Sequence, residues 1–267
     1  LFSDIDLRYV RGFDMFLQKR SCCGNTRKFY FKALRAILNR ANAEGVGSVA
    51  TYPFGRGGFE VSKLEEATAK RYLPAAELSK LKSATANNPQ CEYARKLFLF
   101  SYYCYGISFI DMAMLTAAHI KQMEDGDYIV YKRQKIKRQK GVKPISIKIT
   151  PAIRQLIESL QAASPTVDDF LLPVVTRSGY TGERLYMHIR TRYSKYQKYL
   201  RLLAEELGID FHLTSYVSRH TAAMTLQRNH IPREVISQML GHADLETTNV
   251  YLDSFDNGVI NEAAKVL

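Results

Sequence analysis

Residues 240–251 read LGHADLETTNVY, and this stretch decides the fold and the chemistry that we expect of the chain. Gly241 predicts a turn at the end of a helix, and Asp244 can cap a short polar helix that carries Tyr251. A tyrosine hydroxyl is a poor nucleophile at neutral pH, because its reference pKa is about 10. It attacks a phosphodiester only where other groups bind the phosphate and assist the proton transfers. His242, at the turn, and Arg219, on an upstream helix, are residue types suited to that work.

Three further motifs precede this stretch. Residues 103–111 read YCYGISFID, residues 131–135 read YKRQK on an expected strand, and residues 216–220 read YVSRH. Together with the Leu-Gly-His turn, these motifs resemble those of the tyrosine recombinase, or phage integrase, family. Within that family the chain looks most like the integrases of mobile elements from Bacteroides-type bacteria. The resemblance covers nearly the whole chain, and it is strongest after about residue 90.

The resemblance implies a site-specific DNA recombinase that integrates or excises a mobile element. Tyr251 is then the nucleophile, which forms a 3′-phosphotyrosyl link to DNA and releases a 5′-hydroxyl. Arg219 binds the non-bridging phosphate oxygens, for which a guanidinium fork is well shaped. His242 and Tyr216 donate hydrogen bonds, with Tyr216 at a position where most relatives carry histidine. Lys135 protonates the leaving oxygen.

One departure from the family concerns its first catalytic arginine, which lies beside the Tyr-x-x-Gly turn. Ser108 occupies the usual arginine position, and Tyr105 occupies the position before Gly106 where Bacteroides-type relatives often carry arginine. Because neither residue supplies a guanidinium, we expect the chain to bind DNA well and to cleave it slowly or not at all. We expect Tyr105→Arg to restore cleavage more than Ser108→Arg. Arg95, on the preceding helix, is the first alternative source of the missing charge.

Composition favours a nucleic-acid-binding protein of about two domains. The chain has 267 residues and a formal net charge of +12. A solvated basic surface is the alternative explanation of that charge, so the charge alone is weak evidence. No apolar run of about 18 residues predicts a membrane span. The four cysteines form no CxxC pair, which favours free thiols in a reducing bacterial cytoplasm over a metal site or disulfides.

Residues 1–70 are predicted to form a helical core-binding domain that clamps DNA, with a glycine-containing linker at about residues 52–73. Ser3 or Asp4 is expected to cap its first helix, and Thr26 its second. The apolar face of the second helix is expected to contain Phe29, Ala33, Ala36, Ile37 and Ala41. The basic side of that helix supplies the DNA-contact candidates Arg27, Lys28, Lys32 and Arg35, for which a solvated face is the alternative.

Residues 71–267 are predicted to form the catalytic domain, which is mainly α-helical with a small antiparallel sheet. Two strands are expected at residues 128–131 and 145–149, where apolar and polar residues alternate. The loop between them is basic, without an acidic residue, and phosphate contact is a better interpretation than a mobile solvated loop. Its DNA-contact candidates are Lys132, Arg133, Lys137, Arg138 and Lys140, and Lys137 is also the alternative to Lys135 as the acid.

The resemblance further implies four protomers on two double-stranded DNA sites, accessory DNA-bending proteins as partners, and neither cofactor nor metal. The amphipathic tail at residues 257–267 is expected to dock on a neighbouring protomer, and docking on its own domain is the alternative. The chain starts at Leu1, so we interpret it as a fragment that lacks the N-terminal arm-binding domain of its relatives. Two rival interpretations are a non-catalytic DNA-binding protein and a helix-turn-helix regulator formed by residues 232–251.

Overall fold

The computed structural model describes residues 1–66, residues 71–241 and Thr248. The chain divides into two compact units, Leu1–Ala69 and Lys70–Leu267. His242, the capping residue Asp244, Tyr251 and the tail at residues 257–267 lie outside the described residues. The expectations for these four features therefore stay predictions.

The first unit is built on two helices, α1 (Leu7–Lys19) and α2 (Gly24–Ala43). Asp6 caps α1 and accepts a 2.7 Å hydrogen bond from the amide of Tyr9. The prediction that Ser3 or Asp4 caps this helix was wrong, because both residues lie in a separate 3-10 helix, Phe2–Asp4. The prediction of Thr26 as the second cap was also wrong, since α2 begins at Gly24, two residues earlier.

The buried face of α2 matches the predicted one at Ala41, which is buried, and differs from it elsewhere. Phe31 and Leu38 are buried in the core of this unit, whereas Phe29 and Ile37 are exposed. Two sets of apolar residues recur at helical spacing along α2, and spacing alone does not decide which set faces the core. Phe31 is placed by Phe13 of α1 and by Phe59, whose ring centroids lie 5.6 Å and 4.5 Å from its own.

Part of the segment predicted as a linker, residues 54–64, contributes to the core of the first unit. Phe54 and Val61 are buried in the same core as Phe31, and Phe59 packs against that core. A short 3-10 helix, Val61–Leu64, follows the glycine-containing turn. The linker prediction was therefore wrong for residues 54–64. Burial of three apolar side chains stabilises this segment by more than the flexibility of the nearby glycines destabilises it.

Among the residues that the structure describes, the second unit contains seven α-helices, one 3-10 helix (Ala117–His119) and one sheet. The helices are α3 (Ala75–Ser83), α4 (Pro89–Tyr103), α5 (Phe109–Ala113), α6 (Pro151–Ala163), α7 (Gly182–Glu206), α8 (Ser215–Arg228) and α9 (Arg233–Leu240). Helix α4 is the most deeply buried of these, and it packs against α6, α7 and α8. Its residues Leu97, Phe98 and Phe100 are among the most buried side chains of the unit.

The sheet is a three-stranded antiparallel meander of β1 (Ile120–Met123), β2 (Gly126–Tyr131) and β3 (Ile145–Lys148). Tyr131 pairs with Ile145 and Ile129 with Ile147, so these four side chains share the buried face. The sequence did not predict β1, whose residues are mostly exposed and show little apolar alternation. The predicted fold class, mainly α with a small antiparallel sheet, is confirmed.

Candidate active site

Arg219 is a buried arginine on α8, with 5% of its surface exposed. Its Nη1 donates a 3.1 Å hydrogen bond to the carbonyl of Gly106, and its Nη2 donates a 2.5 Å hydrogen bond to the carbonyl of Leu240. The guanidinium therefore connects the turn after α4 to the end of α9. These two elements are the ones that carry the Tyr-x-x-Gly and Leu-Gly-His motifs.

Gly106 allows the close approach between the turn and α8. Its φ is +72°, and a Cβ at this position would lie 2.4 Å from Cα and 2.5 Å from Cβ of Arg219. No side chain fits at such distances, and a positive φ independently favours glycine. The glycine of the Tyr-x-x-Gly motif is therefore required by the position of Arg219.

A hydrogen bond between two buried serines also joins α4 to α8 next to Arg219. Ser101 Oγ of α4 lies 2.7 Å from Ser218 Oγ of α8, and it also contacts the carbonyl of Ile107 at 2.8 Å. Ser218 directly precedes Arg219, so this polar contact sets the rotation of α8 against α4. Neither serine was predicted from the sequence, because an isolated serine within a helix carries no spacing signal.

Arg219 lines a cleft of about 450 Å³. The apolar part of its wall comes from Ile107, Phe109, Ile110 and Ile189, and the polar part comes from Ser108, Arg133, Arg190, Tyr193, Ser215, Tyr216 and Arg219. Four of the predicted site residues, Arg219, Tyr216, Ser108 and Arg133, are thus brought together at one cleft. Tyr216 is 54% exposed, and its ring packs edge-on against that of His220.

Asp111 links the cleft to the basic hairpin between β2 and β3. Its Oδ2 accepts a 2.6 Å hydrogen bond from Ser108 Oγ, and its Oδ1 accepts a 2.7 Å hydrogen bond from the amide of Gln134. Asp111 is buried, and Gln134 directly precedes Lys135. The sequence analysis missed this residue. Ser108-Phe-Ile-Asp111 has the spacing of a helix capping box, and that signal could have found it.

The side chains of the hairpin are placed differently from one another. Lys132, Lys135, Lys137, Arg138 and Lys140 are exposed and do not line the cleft. Arg133, by contrast, is half-buried in the cleft wall, and its Nη1 donates a 3.4 Å hydrogen bond to the carbonyl of Gly241.

Tyr131, the last residue of β2, is buried behind the cleft. Burial raises the pKa of its hydroxyl well above the ordinary value, and Asp111 acts in the same direction. Arg219 and Arg133 both lower that pKa, although they do not offset the effect of burial. The Tyr131 hydroxyl is therefore neutral at physiological pH, with both arginines close enough to influence it electrostatically.

The two positions considered for the missing first arginine differ in their surroundings. Ser108 lines the cleft, whereas Tyr105 is half-buried, packs against the main apolar core and does not line it. Burial raises the pKa of the Tyr105 hydroxyl. The backbone of Tyr105 has a φ of +57°, which is uncommon for a residue with a side chain.

Arg95 is not an alternative source of the missing charge. Its Nε and Nη2 donate hydrogen bonds of 2.8 Å and 2.7 Å to the carboxylate of Glu92, and its Nη1 donates to the carbonyl of Leu81. The side chain is buried and does not line the cleft. The suggestion of Arg95 as the first alternative source of the missing charge is therefore not supported, because a nearby carboxylate and carbonyl already bind its guanidinium.

The first unit has a separate basic cleft of about 620 Å³. Lys28, Lys32 and Arg35 of α2 line it together with Arg56, which the sequence analysis missed because it lies in the glycine-containing turn. Lys28 also forms a 2.6 Å ion pair with Glu65. Arg27 lies apart from this cleft, and its Nη1 contacts both carboxylate oxygens of Asp14 at 2.9 Å and 3.0 Å.

Comparison with known proteins identifies the class to which this fold and site belong. The model of the phage integrase family matches residues 71–257, and that of the phage integrase SAM-like domain matches residues 1–60. The chain belongs to the phage integrase family, whose members are tyrosine recombinases. Tyrosine recombinase XerD of Halalkalibacterium halodurans is 41% identical over 54 residues, which cover 20% of this chain and 18% of that protein. The match thus spans less than a fifth of this relative.

Solved structures agree with the fold. The Tn1549 transposon integrase in complex with a circular intermediate DNA has a TM-score of 0.65 at 13% identity, covering 98% of this chain and 86% of that one. XerH bound to a palindromic difH substrate has a TM-score of 0.68 at 18% identity, covering 98% and 72%. A lambda integrase dimer bound to a core site has a TM-score of 0.63 at 14% identity, covering 96% and 84%.

Neither a membrane-spanning helix nor a group of metal-binding side chains is found in the part of the chain that the structure describes. Among residues 1–66 and 71–241, no helix is both long and apolar enough to cross a membrane. Within the same ranges, no three histidine, cysteine, aspartate or glutamate side chains are grouped as they would be to hold a metal ion.

Proposed function

We propose that this chain is a site-specific DNA recombinase that integrates or excises a mobile element through a 3′-phosphotyrosyl intermediate. The observation that carries the proposal is the placement of Arg219. This buried arginine lines an open cleft and donates to the carbonyl of Leu240, two residues before His242. Membership of the phage integrase family supports the class of reaction.

In the proposed mechanism the scissile phosphate enters the cleft, and its non-bridging oxygens accept hydrogen bonds from Arg219, His242 and Tyr216. Tyr251 attacks the phosphorus, and the bond from phosphorus to the 5′-oxygen breaks. Lys135 protonates the leaving oxygen, with Lys137 as the alternative. A 5′-hydroxyl from another duplex then attacks the phosphotyrosine and restores a phosphodiester, so that neither ATP nor a metal ion is required.

The two units have different roles in this proposal. Residues 1–70 form the core-binding domain, whose cleft of Lys28, Lys32, Arg35 and Arg56 binds the DNA backbone. Residues 71–267 form the catalytic domain, whose basic hairpin adds phosphate contacts. The solved neighbours XerH, Tn1549 integrase and lambda integrase were each bound to DNA, which supports a duplex as the substrate. Assembly as four protomers, with DNA-bending partners in a bacterial cytoplasm, completes the proposal.

The proposal predicts a covalent adduct. A nicked duplex that carries the junction sequence of the mobile element should remain attached to the protein on a denaturing gel. Tyr251→Phe removes the nucleophilic oxygen, so it should abolish the adduct while DNA affinity changes by less than about twofold. Peptide mapping that found the phosphodiester on a different tyrosine would contradict the assignment.

A non-catalytic DNA-binding protein is the second candidate, and the absence of arginine at Tyr105 and Ser108 is the observation in its favour. Tight binding of the junction duplex by the wild-type chain, with no adduct after prolonged incubation, would establish this alternative. The match to the integrase family over residues 71–257 does not favour a helix-turn-helix regulator, since it covers far more than residues 232–251.

A further inference from the structure

A phosphate site with Arg219 as its sole guanidinium would be short of positive charge around the non-bridging oxygens. The transition state of phosphoryl transfer spreads negative charge over the non-bridging oxygens, and loss of one preorganised donor typically costs about a hundredfold or more in rate. Ser108 can donate one hydrogen bond, but it brings no charge and already donates to Asp111. A second guanidinium at the cleft would remove this deficit.

Arg133 and Arg219 both contact the backbone at the end of α9. The Nη1 of Arg133 donates to the carbonyl of Gly241 at 3.4 Å, and the Nη2 of Arg219 donates to the carbonyl of Leu240 at 2.5 Å. The two guanidinium groups therefore contact the carbonyls of consecutive residues at the end of α9. Both side chains line the same cleft, and both influence the buried hydroxyl of Tyr131.

Gly241, whose carbonyl Arg133 contacts, is fixed at the end of α9 by close packing against Ile145 of β3. Gly241 has a φ of +63°, and a Cβ there would lie 3.4 Å from Cδ of Arg133 and 2.4 Å from Cδ1 of Ile145. Arg133 is also held at its other end, since it follows β2 and precedes Gln134, whose amide donates to Asp111. Its backbone is thus fixed on both sides, which preorganises the side chain for an incoming anion.

The guanidinium of Arg133 remains available to bind an anion. A hydrogen bond of 3.4 Å is at the weak end of the range, so a phosphate oxygen can replace the carbonyl at little cost. In the described part of the chain, Arg133 takes part in no ion pair, in contrast to Arg95 and Arg27. Arg190 of α7 also lines the cleft, but its side chain is exposed and it makes no contact with the end of α9 among the described residues.

We propose that Arg133 supplies the second guanidinium of the phosphate-binding site and replaces the arginine that is absent from positions 105 and 108. This proposal rests on the function proposed above. Arg133 and Arg219 would bind one phosphodiester together, each donating to a non-bridging oxygen, while the exposed lysines of the hairpin contact phosphates elsewhere on the duplex.

The first test measures cleavage of the junction duplex. Arg133→Gln should lower the rate of adduct formation by about a hundredfold or more. Arg133→Lys keeps the charge and loses the fork, so it should give an intermediate rate. Arg154→Gln is the matched control, because Arg154 is a half-exposed arginine of the same unit that pairs with Asp127 away from the cleft, and its rate should change by less than about threefold.

A neutral substrate separates charge stabilisation from a structural role. A duplex with a methylphosphonate at the scissile position has lost one charged non-bridging oxygen, so the penalty of Arg133→Gln should fall to less than about tenfold. A penalty of equal size on both substrates, or the same loss with Arg190→Gln in place of Arg133→Gln, would overturn the proposal.

Binding of inorganic orthophosphate, followed by NMR, distinguishes failure of this proposal from failure of the proposed function. Arg133→Gln should weaken the binding about tenfold, while Arg154→Gln should leave it unchanged. If no adduct forms with wild-type protein but orthophosphate binding depends on Arg133, the enzymatic function is wrong and the assignment of Arg133 stands. If orthophosphate does not bind, or binds equally well to Arg133→Gln, the assignment of Arg133 is wrong even if the chain cleaves DNA.

Discussion

Gly106 meets two requirements at one residue: a positive φ and the contact with the backbone of Arg219. The first requirement is common to many turns. The second is specific to this fold, because the backbone of α8 at Arg219 lies too close to Gly106 for any side chain to fit between them. The position of Arg219 is therefore set by the absence of a side chain at Gly106.

Gly106→Ala should destabilise the protein by about 2–5 kcal/mol. Left-handed backbone strain contributes roughly 1–2 kcal/mol and steric overlap with Arg219 contributes about 1–3 kcal/mol. Gly179→Ala is a close control, because Gly179 has the same φ of +72° but a Cβ added there would meet no atom within 4 Å. Urea denaturation of both variants separates strain from overlap. Equal losses of stability would mean that the contact with Arg219 contributes nothing.

At the scale of single residues, the sequence predicted some of the residues that line the cleft. The Tyr-x-x-Gly and Arg-His motifs predicted Arg219, Tyr216 and Ser108, which do share one cleft. The sequence could not distinguish Arg133 from the exposed cations beside it, because a run of basic residues shows no difference between a side chain packed at a helix end and one in solvent. That distinction depends on Gly241, which is 108 residues away in the chain.

The hairpin between β2 and β3 is held by a side chain from another element. Asp111 of α5 binds the amide of Gln134 at the start of the hairpin, while Ser108 holds the other oxygen of the same carboxylate. This arrangement fixes the beginning of a basic segment whose middle and end are exposed. Lys135, the next residue, therefore has a backbone position set by this hydrogen bond.

Asp111→Ala should loosen the start of the hairpin. A hydrogen bond to a charged group contributes about 1.5–3 kcal/mol, so the Gln134 amide should exchange with solvent at least about tenfold faster. Asp125→Ala is the control, since Asp125 binds Lys148 and Tyr128 at the other end of the sheet. Hydrogen exchange measured by NMR reports both variants. Unchanged exchange at Gln134 in Asp111→Ala would show that the hairpin is held by other contacts.

Among the elements, those with a clear local pattern were predicted and those without one were not. The strand at residues 145–149 alternates strictly, the one at residues 128–131 is a short β-branched and aromatic run, and both form, with small differences at their ends. Strand β1 is largely exposed, so its position depends on pairing with β2 and not on its own pattern. The residues around Phe54 were assigned to a linker because glycine and proline punctuate them, although their aromatic side chains complete the core.

The charge of the molecule as a whole is distributed over both units. The formal net charge is +12, and basic residues line the cleft of the first unit and the hairpin of the second. A protein that neutralises many DNA phosphates releases the counterions bound there, so its affinity depends steeply on salt concentration. Salt dependence therefore reports the number of phosphate contacts directly.

Removal of three hairpin cations should flatten that dependence. Each phosphate contact contributes about 0.9 to the slope of log affinity against log salt, so simultaneous replacement of Lys137, Arg138 and Lys140 by glutamine should reduce the slope by about 2.7. Replacement of Lys63, Lys80 and Arg154, which form exposed ion pairs, removes the same formal charge and should change the slope much less. Fluorescence anisotropy with a short duplex measures both. An equal decrease in the two triple variants would mean that only net charge matters.

The double contact of Arg219 with Gly106 and Leu240 bears on which inactive variant is suitable for trapping complexes on DNA. Truncation at this position would leave two buried carbonyl groups without their donor, and each such loss costs about 1–3 kcal/mol. An inactive Arg219→Ala protein would thus combine a chemical defect with a folding defect, and a failure to assemble on DNA could not be attributed to either one. If Tyr251 is the nucleophile, as proposed, Tyr251→Phe is the better reagent for crystallographic or single-molecule capture, because it removes one oxygen atom and keeps both hydrogen bonds of Arg219.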